Sequence, residues 1–293
     1  MRPGSYVGAA VLCLAARFAV AVEPDGGVKA ATASAPILAT IYASSERQVA
    51  GKKHGALQAL DMDASTSWCA APDDAHPELI ITFPKPVALK SVEVFGGDEK
   101  YLPDLIELDA GDWNAELRFN EETGWMGPYK FPGIAGRMAT RLVVRLPKGS
   151  ARCLSELNVE LRDQPWVYGL EPQAVDTVQE AITALTAALR SCDRHALTSL
   201  CRFPVTFRGR EWGFAGSEYV YDHDPIERYA SAKKLHCNFL VYPEGENNPT
   251  LVRSVAPGTV RVLGGAYTSG VYWNLAWIKG QWKLVGAESA IFE

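Results

Sequence analysis

From Ile37 onward the chain alternates apolar and polar residues in short runs divided by turn residues. Residues 39–44 alternate weakly, and Leu79-Ile80-Ile81-Thr82-Phe83 follows as a strand-like run. Pro84-Lys85-Pro86-Val87 interrupts it, and residues 89–95 resume with Leu89, Val92 and Val94 apolar and charge between. Residues 141–146 and 153–161 repeat the pattern. Period-two runs of this length, bounded by Pro and Gly, predict half-buried strands of an all-β domain.

The period changes after Ala174. Val175, Val178, Ile182, Leu185 and Leu189 recur at steps of three and four, which is one face of an amphipathic helix. Asp193 is placed to cap a second, shorter helix carrying Leu197 and Leu200. A strand at 203–207 follows, then a helix opened by Asp224-Pro225 and running to about Lys234. Strands at 236–242 and 259–263 lead to a hairpin, 271–278 and 281–285, turned by Lys279-Gly280. Helices followed by antiparallel strands predict an α+β domain. Between the halves, Pro165 and Pro172 bracket Trp166, Tyr168 and Gly169, a short linker whose aromatics dock the two domains.

At 293 residues the chain has room for two domains. The formal charge of −5 leaves no basic footprint, so a nucleic-acid partner is not expected. The N-terminus has the form of a secretory signal peptide over 1–21: Arg2, an apolar stretch from Val7 to Val20, and Ala19-Val20-Ala21 at the cleavage position. The apolar run is too short to span a bilayer, which takes about 20 residues. Residues 22–36, rich in Ala, Thr, Gly and Pro, read as a flexible leader. The organisation expected is therefore signal peptide, leader, a β domain over 37–163, a linker over 164–172 and an α+β domain over 173–293, exported to the periplasm or beyond.

One stretch carries candidate chemistry, Asp61-Met62-Asp63-Ala64-Ser65-Thr66-Ser67-Trp68-Cys69. Asp61, Asp63 and the Thr66 hydroxyl are hard oxygen ligands that suit a cation such as Ca²⁺. The same spacing suits a plain turn held by side-chain-to-backbone hydrogen bonds.

The string "ALDMDASTSWCA…PELIITFPKPVALKSVEVFGG…RCLSELNVEL" resembles the discoidin, or coagulation-factor type C, family of galactose-binding-like jelly rolls. It resembles equally the glycan-binding domain named after secreted NADases. The family pattern is D-G-D-x-x-T-x-W early and C-x-S-E-x-x-V near the end. The resemblance implies an all-β jelly-roll sandwich that binds glycan or another cell-surface ligand. It implies a structural Ca²⁺ on Asp61, Asp63, Thr66 and Glu156, a Cys69–Cys153 disulfide, and a buried Trp68. Met62 stands where the family has Gly, and a left-handed backbone there costs free energy for a residue with a Cβ.

The second half is similar to the nuclear transport factor 2-like, or polyketide-cyclase-like, superfamily. "AVDTVQEAITALTAALRSCDRHALTSLCRFPVTF" and the closing "VYWNLAWIKGQWKLVGAES" carry that likeness. It implies a cone of two or three helices packed on a curved antiparallel sheet, used for ligand binding or assembly.

Remaining candidates are simpler. Tyr101, Trp113, Trp125 and Tyr129 lie in a turn-rich stretch and suit stacking on a sugar ring, or packing on the core. Once Cys13 leaves with the signal, Cys192, Cys201 and Cys237 remain for the second half, and sequence does not choose between 201–237 and 192–237 pairing. His195, His223 and His236 are the histidines of the α+β half; Asp222-His223-Asp224 reads as a surface loop and helix cap. No phosphate-binding glycine loop, G-x-S-x-G or H-E-x-x-H occurs, so no catalytic residue and no organic cofactor are expected. The leading expectation is a non-catalytic binding protein. The alternative is a small-molecule enzyme in the cone pocket with the jelly roll as its targeting module.

Overall fold

A computed structural model describes residues 35–49, 52–62, 66–95, 103–119, 128–147, 152–191, 193–211, 214–221, 250–264 and 270–290. The expected signal peptide, nearly all of the leader, the helix at 224–234 and the strand at 236–242 lie outside these residues. So do Asp63, Tyr101, Trp125, Cys192, Cys237, His223 and His236.

The first half is a β-sandwich of the jelly-roll kind. Its strands are β1 (Ile37–Ala43), β2 (Arg47–Val49), β3 (Lys52–His54), β4 (Trp68–Cys69), β5 (Glu78–Phe95) and β6 (Leu105–Asp109). They continue as β7 (Asn114–Arg118), β8 (Tyr129–Lys130), β9 (Met138–Arg145), β10 (Cys153–Leu154), β11 (Glu156–Leu161) and β12 (Trp166–Tyr168). One layer runs β12-β1-β5-β9-β6-β7; β11 and β8 pair with the far half of β5 to make the other. Leu79, Ile81, Leu108 and Leu142 from the first layer meet Leu89, Val92, Leu157 and Val159 from the second in a single apolar cluster. Each fully buried Leu or Ile contributes about 1.5–3 kcal/mol.

Pro84 and Pro86 do not end the strand as the sequence pattern suggests. β5 runs through them, and its ladder with β9 shifts between Thr82 and Val87. Proline lacks the ladder donor but fits extended backbone. The strand therefore changes partners at the prolines and serves both layers.

The second half carries α1 (Pro172–Ser191), α2 (Arg194–Leu200), β13 (Cys201–Glu211), β14 (Phe214–Tyr221), β15 (Thr250–Ala256), β16 (Thr259–Gly264), β17 (Gly270–Ile278) and β18 (Gln281–Ala290). The sheet order is β14-β13-β18-β17-β16-β15, antiparallel except for the parallel pair β13–β18. Ala174, Val178, Ile182 and Leu185 of α1 pack with Val260, Val262, Trp273, Leu275 and Leu284 of the sheet. Of the expected helix face, Val178, Ile182 and Leu185 are buried and Val175 is partly so. Asp193 caps α2 as its position suggests, accepting from the Ala196 N–H at 3.0 Å. Lys279 and Gly280 both take positive φ, 51° and 78°, the conformation a two-residue hairpin turn requires.

Two further segments, β12 and β15, differ from the sequence reading. The linker residues form β12, which pairs parallel with β1. Side chains alternate along it: Trp166 and Tyr168 enter the sandwich core, and Val167 enters the core of the second half. The other is β15, a strand that periodicity did not announce; it packs beside β12. Gly169, at φ +62°, passes so close to Pro257 that an added Cβ would lie 3.0 Å from its Cα. Its carbonyl accepts from Gly258 at 2.8 Å. Residues 33–293 form one compact unit with two cores.

Candidate functional site

The closing strands bring two polar clusters to the sandwich. The first lies around Glu156, at the start of β11. Antiparallel pairing sets Glu156 opposite Phe95, and its side chain is 5% exposed. One carboxylate oxygen accepts from the Met62 N–H at 3.0 Å. The other accepts from the Arg253 guanidinium of β15, in a short charged hydrogen bond. Met62 takes φ +65°, the left-handed region that the family's Gly at this position implied and that is costly for a residue with a Cβ. The Thr66 hydroxyl lies 2.8 and 3.0 Å from the two Asp61 carboxylate oxygens and 3.0 Å from the Gln58 carbonyl. Burial pushes the Glu156 carboxyl up to about 7, against the opposing pull of Arg253. Burial also raises the Tyr168 phenol, whose OH donates to the Leu60 carbonyl at 3.3 Å.

Asp61, Thr66 and Glu156 are thus drawn to one region, the set the resemblance implies, with Asp63 outside the described residues. The three described residues do not by themselves suit Ca²⁺. The ion takes six to eight oxygens, and here Glu156 already carries a guanidinium. Among the described residues, no group of three or more His, Cys, Asp or Glu side chains could hold a metal.

The second cluster is open to water. Asp74 accepts from the Ser44 and Ser45 hydroxyls, both at 2.5 Å, and from the His76 N–H at 2.9 Å. Ser44 in turn accepts from the Glu78 N–H at 3.0 Å, tying the loop to the first residue of β5. Arg152 donates to the Asp74 carbonyl at 2.5 Å. Burial acts to raise the Asp74 carboxyl, but the Ser44 and Ser45 hydroxyls outweigh it, so the net shift is downward. Tyr42, two positions before Ser44, is 59% exposed. The Cys69–Cys153 disulfide, with Cα atoms 4.0 Å apart, anchors the loop beside Arg152. Trp68 is buried, as the resemblance implied, and its N–H donates to the Ser45 carbonyl at 2.9 Å.

Of the aromatic candidates, the two described ones, Trp113 and Tyr129, lie apart. Trp113 sits at the β6–β7 turn, half-buried against the core near Gly133. Tyr129 meets Phe119 edge-on at 5.0 Å between ring centres. Phe119 follows Arg118, which pairs with Leu105 at the open end of the same hairpin. Five paired residues separate the two ends, or about 17 Å at strand rise. Ladder register places the open end with Glu78 and Arg145, which is the end that carries the Asp74 loop. Sequence reasoning missed the Ser44–Asp74–Arg152 cluster because its members lie 30 or more residues apart. The only local signal was the polar run at 70–78. His195, in α2, is exposed, and Cys201 is a half-buried thiol at the start of β13.

No family model matches the chain, and no curated protein matches it. Solved structures do. The chain is similar to the C-terminal domain of a chitobiase from Bacteroides fragilis, with 16% identity over 42% of this chain and 93% of that one and a TM-score of 0.35. It is similar to the family 32 carbohydrate-binding module of NanJ from Clostridium perfringens, solved in complex with galactose. That match has 19% identity over 41% and 92% and a TM-score of 0.31. An F5/8 type C domain from Bacteroides fragilis matches with 15% identity over 43% and 92% and a TM-score of 0.32. The sandwich itself rests on the strand order given above. Among the described residues, no helix is long and apolar enough to cross a membrane.

Proposed function

We propose that this chain is a non-catalytic binding protein, exported from the cell, whose sandwich recognises carbohydrate or another hydroxyl-rich surface ligand through the Asp74 end. One observation carries the reading. A carboxylate and a guanidinium-bearing residue, Asp74 and Arg152, stand with two hydroxyls and an exposed His76 on loops at a single end of the sandwich. Charged acceptors and donors on a rigid rim are what sugar hydroxyls need, and function concentrates on such loops. Exposed Tyr42 and half-buried Tyr129 offer ring faces on the same end. In this reading the second half is the cone-shaped module expected from sequence, serving assembly or a second ligand.

The test is binding of the full chain to an array of galactose-, N-acetylgalactosamine- and glucose-terminated glycans, followed by titration of the best hit. Asp74→Ala and Arg152→Ala should each weaken binding at least about tenfold, the size of one lost charged hydrogen bond. A wild-type protein that binds nothing on the array would sink the carbohydrate reading. Unchanged binding by both variants would move the site elsewhere on the sandwich.

A further inference from the structure

The geometry points to Arg253 as the resident cation of the carboxylate loop: we propose that the guanidinium from the second half fills the place beside Asp61 and Glu156, excludes a metal ion there, and locks the two halves together.

The guanidinium is held from three directions. Nη2 donates to Glu156, and Nη1 lies 3.2 Å from the Leu157 carbonyl and 3.3 Å from the Asn158 side-chain oxygen. All three acceptors lie in β11 of the sandwich, whereas Arg253 lies in β15 of the other sheet. Both charged side chains are 5% exposed. An arginine so placed has no second route to neutralisation, because it stays protonated at any ordinary pH.

The strand is shaped for this. β15 is irregular on both sides of Arg253–Ser254, where its register with β16 shifts. Such irregularities re-aim side chains. Both residues are buried, and both reach the first half: Ser254 donates to the Tyr168 carbonyl at 3.0 Å and accepts from the Tyr168 N–H at 2.8 Å. Tyr168 then reaches Leu60, one residue before Asp61. Strand β15, strand β12 and the carboxylate loop form one connected polar network.

Charge explains why a metal is excluded. Both Glu156 oxygens are already taken, one by the Met62 N–H and the other by the Arg253 guanidinium. A dication at the same oxygens would stand against the guanidinium in a site with little water to screen the repulsion. It would also have to displace a hydrogen-bonded partner whose own burial leaves it nowhere else to go.

The experiment uses the full mature chain. Wild-type protein is unfolded thermally in millimolar Ca²⁺ and in chelator, and Ca²⁺ binding is titrated directly. No shift and no binding are expected. Saturable binding of Ca²⁺ that raises the wild-type midpoint would overturn the proposal. In parallel, Glu156→Gln, Arg253→Met and the double variant are compared. Each single change should lower the midpoint by roughly 10 °C, the loss expected when one buried partner is stranded. The double variant should fall little further, because the second change removes a group already without its partner. Additive losses would mean that the pair does not couple the halves. If Arg253→Met fails to fold, Asn158→Ala keeps the pair and tests the same coupling, and the wild-type Ca²⁺ titration stands independently of any variant.

Discussion

Arg152, just before β10, and Glu156, the first residue of β11, lie four residues apart in one sandwich, and their clusters have opposite fates. The Arg152 cluster faces water: hydroxyls and a carboxylate rest on one another and remain accessible. The Glu156 cluster is sealed beneath β15, where an arginine from the other half answers its charge. The residue types are nearly the same in the two places. Coverage separates them. Charged groups covered by another sheet become structure, because an unpaired buried charge is too costly to leave for a ligand. Charged groups left on the rim stay available for recognition.

The largest effect that would break this comparison belongs to the covered cluster. Arg253→Met should cost about 3–5 kcal/mol of stability, read by denaturant unfolding, since it strands a buried carboxylate. A loss no larger than that of a surface change would mean that water reaches Glu156. Next comes the disulfide that sits between the clusters. Cys69→Ser should cost about 2–4 kcal/mol under oxidising conditions. It should also loosen the Arg152 rim, so glycan binding by folded protein should fall as well. An unchanged unfolding midpoint in reductant would show that the bridge contributes nothing.

Met62→Gly should act in the other direction. Met62 holds a left-handed backbone at φ +65°, and Gly there relieves about 1 kcal/mol of strain. Destabilisation instead would mean that the Met side chain contributes more by packing than the backbone loses. The smallest effect belongs to the open rim. Asp74→Asn should change stability by about 1 kcal/mol or less while weakening ligand binding. Its pH dependence has a definite sign. The Asp74 carboxyl is held below its ordinary 3.8. Its contribution is therefore complete above that value and is lost as pH falls through the lower folded value. The variant should remove that acid-limb loss and leave the neutral region unchanged.

The local elements follow from local signals in the sequence. The α1 face, the Asp193 cap, the Lys279-Gly280 turn and the alternation along β1, β9 and β11 each follow from periods and turn chemistry within a few residues. The resemblance added the Cys69–Cys153 pair and the burial of Trp68, which the fold contains. Tertiary structure decided the rest. The linker became β12 because β1 offered it an edge, and the alternation of Trp166, Val167 and Tyr168 then joined two cores. No period in the sequence reveals which edge a short strand will find. Nor does any local pattern say that Arg253 will meet Glu156, 97 residues away. A carboxylate's role depends on which charge the fold brings to it, and that partner is chosen by packing at long range.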